Sequence, residues 1–146
     1  ADSAALVTAE MRKAADLGLA EHVAFSGAVP YEQAPLHLAL GDVAVAPKLS
    51  ASEGSGKLLT YMAAGLPVAA FDTPVHREYL GELGYYARPG DAASLASAIE
   101  QALQDPATAG QRGQWLRQRV LERYTWQRAA EQIEAVYRSL LSAGQR

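Results

Sequence analysis

The sequence contains no cysteine, so it has no disulfide bond, no thiolate nucleophile and no cysteine ligand for a metal. It has three histidines, His22, His37 and His76, and these lie in separate segments without the spacing of metal ligands. Both observations argue against a zinc site. The lack of cysteine also favours a cytoplasmic location, which we take as the expectation.

Positive charge and long hydrophobic runs are also scarce. The chain has 13 Lys and Arg against 16 Asp and Glu, a net charge of −3, so it lacks the basic field that a nucleic-acid surface needs. No run approaches the roughly 20 apolar residues of a membrane span, and the first residues do not resemble a signal peptide. The 146 residues, 49% of them hydrophobic, suit a single globular domain over residues 1–146.

Continuous apolar runs and helical spacing predict strands and helices that alternate along the chain. The predicted strands cover residues 22–25, 43–46, 67–71 and 85–88. The predicted helices cover residues 2–17, 32–40, 55–64, 75–83 and 111–123, with two more that are capped by Asp91 and Thr125. Alternation at intervals of about twenty residues is typical of a parallel sheet.

This order predicts an α/β fold, a three-layer Rossmann-like parallel sheet of about four strands with helices on both faces. Four strands are few for such a fold, and the sequence opens on a helix. We therefore expect that the first strands of the sheet are missing from this chain.

Residues 52–70 carry the clearest functional pattern. An acid, Glu53, and the turn Gly54-Ser55-Gly56 precede an amphipathic helix, and a Gly-Leu-Pro turn then leads into a buried strand. A helix N-terminus carries about half a positive charge and several unpaired N–H donors. The pattern therefore predicts an anion pocket, and a phosphate group is its natural ligand.

Five segments of the sequence together carry a family pattern. They are Val23-Ala24-Phe25-Ser26-Gly27, residues 38–47, residues 53–68, Gly90-Asp91, and Tyr124-Thr125-Trp126 with Tyr137. In this order they resemble the donor-binding, C-terminal half of a GT-B glycosyltransferase. Within that group the chain is most similar to retaining enzymes of the glycosyltransferase family 4 type.

The resemblance implies that the chain binds a nucleotide-diphosphate sugar for retaining glycosyl transfer. The family's transfer needs no cofactor and no metal, because a helix dipole and basic side chains neutralise the leaving diphosphate. Glu53 matches the first acid of the family's paired-Glu motif, which contacts the sugar and is the candidate catalytic residue. The remaining candidate substrate-binding residues are Gly54, Ser55, Gly56, Lys57, Leu58, Thr60 and Lys48 around the diphosphate and ribose, and Gly27 and Val29 near the nucleobase.

Two departures from the family pattern weaken the expected donor site. The family's second Glu aligns with Thr60, which offers one short hydroxyl where a carboxylate would accept hydrogen bonds from both ribose hydroxyls. The family's opening strand, with its basic loop, and the next strand have no counterpart here, and neither has the N-terminal acceptor domain. We therefore expect a fragment that is inactive alone, whose acceptor domain and peripheral membrane association lie in the missing half. Its incomplete sheet would favour self-association.

Simpler interpretations stand beside these. Gly54-Ser55-Gly56 also suits a helix-entry turn, Glu53 and the two lysines suit solvated surface charges, and Thr60 suits packing within its helix. A Walker P-loop is excluded because Leu58, not Ser or Thr, follows Lys57. Two alternative functions therefore stay open: a noncatalytic nucleotide-binding or scaffolding domain, and a nucleotide-sugar epimerase-like domain.

Several residues outside the motif are predicted to be structural. We expect Asp72 to act as a helix cap rather than a ligand contact, and His76 to lie on the surface. Tyr85 and Tyr86 are expected to pack along an edge strand. The two tryptophans, Trp115 and Trp126, are expected in the core or at a domain interface.

Overall fold

The computed structural model describes residues 3–50 and 52–143. The described chain divides into two compact units, with the boundary between Ala34 and Pro35. Among the described residues, no helix combines the length and apolar character that crossing a membrane requires.

The first unit contains one long helix, α1 (Ser3–Asp16), and a short 3₁₀ helix over Tyr31–Gln33. The strand predicted over residues 22–25 is wrong, because residues 23–30 form neither helix nor strand. Strand backbone needs a neighbour to supply its hydrogen bonds, and the described part of this unit contains no strand to pair with residues 22–25. The predicted sheet therefore loses its first member.

Among its described residues, the second unit contains three strands and the remaining helices. The strands are β1 (Ala44–Ala46), β2 (Val68–Phe71) and β3 (Tyr85–Ala87). The α-helices are α2 (Ala34–Leu38), which begins at the boundary, α3 (Gly56–Ala63), α4 (Pro74–Leu80), α5 (Ala92–Gln104), α6 (Pro106–Arg123) and α7 (Trp126–Ala143), and a 3₁₀ helix covers Gly81–Leu83.

The strands form one parallel sheet in the order β1-β2-β3. β2 is central and buried throughout, and its alternate side chains point to opposite faces. Val68 and Ala70 join a core cluster with residues of α3 and α6, whereas Ala69 and Phe71 join a second cluster with residues of α5. Helices thus cover both faces, which confirms the three-layer Rossmann-like α/β fold, with three strands.

Helix α3 ends in a Schellman motif. The N–H of Gly65 donates to the carbonyl of Met62 at 2.9 Å, the N–H of Leu66 donates to that of Tyr61 at 3.2 Å, and Gly65 has a φ of 74°. Arg117 on α6 donates to the carbonyl of Ala63 at 2.7 Å, which satisfies another terminal carbonyl. These bonds hold the C-terminal end of α3 against the turn that follows it and against α6. They therefore help to set the orientation of the helix and of its N-terminus.

The segment after β2 corrects two expectations. Thr73, not Asp72, caps α4, because its hydroxyl accepts from the N–H of His76 at 3.3 Å. Asp72 instead accepts two hydrogen bonds from Arg77, each 2.7 Å, and these bonds lower the pKa of its carboxyl. His76 is wholly buried rather than on the surface, with its Nδ1 2.7 Å from the carbonyl oxygen of Phe71.

The aromatic side chains divide between the sheet and the surface. Tyr85 is buried and Tyr86 is half-buried, as predicted for edge-strand packing, and burial raises the pKa of Tyr86 to about 12. Trp126 is 92% exposed and Trp115 is 50% exposed, so neither is a core residue of the described chain. Trp126 begins an exposed apolar stripe on α7 that continues through Ile133, Val136, Tyr137, Leu140 and Leu141.

Candidate functional site

A cleft of about 390 Å³ opens where β1 ends and α3 begins. This is the carboxyl edge of a parallel sheet, the place where ligands gather in open α/β folds. Backbone and side chains from the two loops form its walls. Its lining residues are Val45, Ala46, Pro47, Lys48, Gly54, Ser55, Gly56, Lys57 and Tyr61.

The N-terminus of α3 is left open toward hydrogen-bond acceptors. Its N-cap residue, Ser55, is buried but makes no side-chain capping bond, whereas Thr73, Asp91 and Asp105 each cap the helix that follows them. Among the described residues, no hydrogen-bond acceptor engages the N–H groups of Gly56 and Lys57. Both are therefore available donors at the positive end of the helix dipole.

Neither Gly54 nor Gly56, the two glycines at the entry to α3, has a backbone conformation that requires glycine. Gly54 and Gly56 both lie outside the positive-φ region. A Cβ on Gly56 would meet nothing within 4 Å, and one on Gly54 would lie 3.4 Å from the Tyr79 hydroxyl, an ordinary contact. Gly56 therefore leaves open space beside the start of α3, and neither glycine is needed to relieve backbone strain.

Two cations stand at the cleft. Lys57 is the second residue of α3 and is exposed, and Lys48 follows β1 and has a 37% exposed side chain. The ammonium of Lys48 lies 3.0 Å from a carboxylate oxygen of Glu53 and donates to the carbonyl of Gly54 at 3.3 Å. With the helix N-terminus, these groups make the cleft suited to an anion.

Three candidate residues of the second unit, Glu53, Leu58 and Thr60, are not among the residues that line this cleft. The side chain of Leu58 is wholly buried in the core, and its N–H donates to the carbonyl of Ser55 at 3.0 Å. The hydroxyl of Thr60 donates to the carbonyl of Gly56 at 3.1 Å and is not part of the lining. Gly27 and Val29 belong to the first unit, where Gly27 has a φ of 69° and a Cβ on it would meet nothing within 4 Å.

The structure also adds residues that the sequence analysis did not single out. Tyr61 lines the cleft, and its position four residues after Lys57 places both on one helix face, a spacing that was readable from the sequence. Pro47 and the end of β1 form the opposite wall. Tyr79 backs the turn at Gly54, a contact between α4 and a loop that no local pattern indicates.

Comparisons with known proteins agree with this architecture. Residues 3–105 match the family model described as glycosyl transferases group 1. A phosphatidyl-myo-inositol mannosyltransferase of Mycobacterium leprae is 32% identical over 136 residues, which cover 87% of this chain and 34% of that protein. A GDP-mannose-dependent alpha-(1-6)-phosphatidylinositol monomannoside mannosyltransferase of Mycolicibacterium smegmatis is 32% identical, over 79% of this chain and 32% of that protein.

A solved structure also matches the fold of this chain. Sucrose-phosphate synthase from Thermosynechococcus elongatus superposes with a TM-score of 0.80 at 30% identity, and the match covers 92% of this chain and 35% of that one. The chain therefore spans about a third of the length of the relatives it matches. The match to the family model covers more than half of the sequence, so the chain belongs to the glycosyl transferases group 1 family.

Proposed function

We propose that this chain is the donor-binding half of a retaining GT-B glycosyltransferase of the family 4 type and that it binds a nucleotide-diphosphate sugar. The observation that carries the proposal is the uncapped N-terminus of α3, which shares one cleft with Gly54, Gly56 and two lysines. An anion with two charged phosphates matches this combination of free donors, space and positive charge.

Each part of the cleft has a task in this proposal. The N–H groups of Gly56 and Lys57 donate to the diphosphate, and the ammonium groups of Lys48 and Lys57 offset its charge. As the bond to the sugar breaks, negative charge grows on the leaving diphosphate, and donors fixed in advance stabilise that charge more than they stabilise the ground state. Glu53, at the edge of the same turn, contacts the sugar. Charge neutralisation by these groups supports a transfer that needs no metal.

The relatives support a hexose as the transferred group. The names of the two mycobacterial proteins describe mannosyltransferases, one of them dependent on GDP-mannose, and a 2-deoxystreptamine glucosyltransferase of Streptomyces kanamyceticus is 32% identical over 95 residues. We propose hexosyl transfer on this basis. The retaining stereochemistry, the cytoplasmic location and a nucleobase contact at Gly27 and Val29 stay predictions.

The acceptor site belongs, in this proposal, to the part of the enzyme outside this chain. Coverage of about a third of each relative leaves room for an acceptor-binding domain and for peripheral membrane contact. The exposed stripe on α7, from Trp126 to Leu141, is consistent with a surface that such a domain or a second copy covers. We therefore propose that the 146-residue chain binds donor but does not turn it over.

Calorimetric titration of the chain with GDP and UDP tests the proposal. We expect at least one of them to bind with a dissociation constant in the range of about 10 µM to 1 mM, because the half site offers few contacts beyond the diphosphate. Addition of GDP-mannose or UDP-glucose with a lipid or sugar acceptor should give no transfer product. If neither nucleotide binds at millimolar concentration, the proposed donor site is refuted. Clear formation of a transfer product would refute the proposal that the chain is inactive alone.

A noncatalytic nucleotide-binding role is the second candidate. One specific observation favours it: the hydroxyl of Thr60, at the position of the family's second Glu, is bonded to the carbonyl of Gly56 and does not line the cleft. Replacement of Thr60 by Glu separates the two roles. In the full-length enzyme, gain of transfer activity by Thr60→Glu from an inactive parent would favour the noncatalytic role, and an active parent would exclude it.

A further inference from the structure

One ammonium group joins the two loops that form the mouth of the cleft. Lys48 lies on the loop after β1, and Glu53 and Gly54 lie on the loop before α3. Lys48 Nζ is 3.0 Å from Glu53 Oε2 and donates to the Gly54 carbonyl at 3.3 Å. Two of the three donors of this group are thus committed to the turn that leads into α3.

The cation of this ion pair lines the cleft, whereas the carboxylate of Glu53 is not part of the lining. Because Lys48 is part of the lining, an anionic ligand that enters the cleft meets this residue. Its partner Glu53 is 75% exposed in its side chain, and exposed ion pairs contribute only about 0–1 kcal/mol. A diphosphate carries two or three charges and gains the N–H donors of α3 as well. The lysine therefore interacts more strongly with the diphosphate than with the Glu53 carboxylate.

We propose that Glu53 and the donor diphosphate compete for Lys48, so that Lys48 is a positioning residue whose charge exchange couples donor binding to the release of Glu53. This inference rests on the proposed function and deepens it. In the empty cleft Lys48 holds the Glu53 carboxylate against the turn. When the diphosphate binds the ammonium group, the Glu53 carboxylate loses its cation. It can then accept a hydrogen bond from an uncharged group, and a hydroxyl of the bound sugar is the available one.

A double-mutant cycle measured by calorimetry with GDP or UDP, whichever binds the parent chain more tightly, tests this coupling. Glu53→Gln should tighten binding about threefold to fivefold, because the lysine is freed from its competitor. The same substitution in a Lys48→Met background should change affinity little. Lys48→Arg keeps the cation and should preserve the gain from Glu53→Gln, a rescue that loss of packing would not show.

Glu134→Gln is the matched control for charge. It also removes one carboxylate from an exposed ion pair, with Arg138 on α7, and Glu134 is not part of the cleft lining. It should leave the affinity unchanged. Circular dichroism and thermal unfolding of all variants confirm that each is folded, as expected for substitutions at exposed side chains.

The outcomes separate this inference from the proposed function. If the parent chain binds nucleotide and Glu53→Gln has the same effect with and without Lys48, the competition is refuted while the donor site stands. If Glu53→Gln weakens binding, the carboxylate supports the diphosphate site rather than competing with it, and the inference is also refuted. If neither nucleotide binds the parent chain, the donor site itself is refuted, and the inference falls with it.

Discussion

Replacing Gly113 by alanine is expected to destabilise the second unit by about 3 kcal/mol or more. Gly113 lies on α6, where a Cβ would overlap the carbonyl oxygen of Gly65 and lie 2.9 Å from its carbonyl carbon and 3.1 Å from that of Leu66. Those atoms belong to the turn that ends α3 and leads into β2, so they are backbone atoms that have little freedom to move. The strain would outweigh the gain in helix propensity that alanine brings.

The same helix supplies a matched control. Gly110 lies on α6 one turn earlier, and a Cβ there would meet nothing within 4 Å. Gly110→Ala should therefore stabilise the protein by up to about 1 kcal/mol through helix propensity alone. Urea unfolding of both variants measures the difference. If Gly113→Ala is as stable as Gly110→Ala, then α6 does not pack closely on the turn after α3.

Replacing Gly56 by leucine is expected to weaken nucleoside diphosphate binding at least about tenfold without unfolding the chain. The leucine side chain would occupy the cleft beside the N–H donors of Gly56 and Lys57, where the diphosphate has to approach the backbone closely. Stability should change by less than about 1 kcal/mol, because the position has no positive φ and a Cβ there has open space. Calorimetry and urea unfolding together separate the two effects.

Gly110→Leu is the control for this change as well. It introduces the same side chain at another exposed helical glycine that also has open space around it, and Gly110 is not part of the cleft lining. Its nucleotide affinity should equal that of the parent chain. Equal affinity of Gly56→Leu and Gly110→Leu would mean that the ligand does not approach the start of α3.

The sequence predicted those elements whose local pattern agrees with their packing. The buried strands β1, β2 and β3 each follow from a short apolar run, and the end of α3 at Gly65 follows from a glycine that adopts a positive φ. The strand predicted at residues 22–25 failed for a nonlocal reason. Its sequence suits a strand, but a strand forms only where a neighbour supplies hydrogen bonds, and among the described residues the segment pairs with no strand.

The candidate site shows the same division between local and nonlocal information. The cleft is lined by Gly54, Gly56 and Lys57, which lie at or next to the first residue of α3 in the sequence. Their placement therefore followed from the predicted start of this helix. Leu58 was assigned to the ligand although it lies four residues before Met62, a spacing that places both on the buried face of α3. His76 is buried, with its ring bonded to the carbonyl oxygen of Phe71, because of tertiary packing that the local sequence does not encode.

Backbone amide NMR of the chain during titration with GDP and UDP tests the central claim most directly, since the claim concerns two particular N–H groups. We predict that the largest shifts fall on the amides of Gly56 and Lys57 and their neighbours in the turn, and that they saturate with the calorimetric dissociation constant. Shifts confined to other parts of the chain, or no shift at saturating nucleotide, would contradict the assignment of the α3 N-terminus as the diphosphate site.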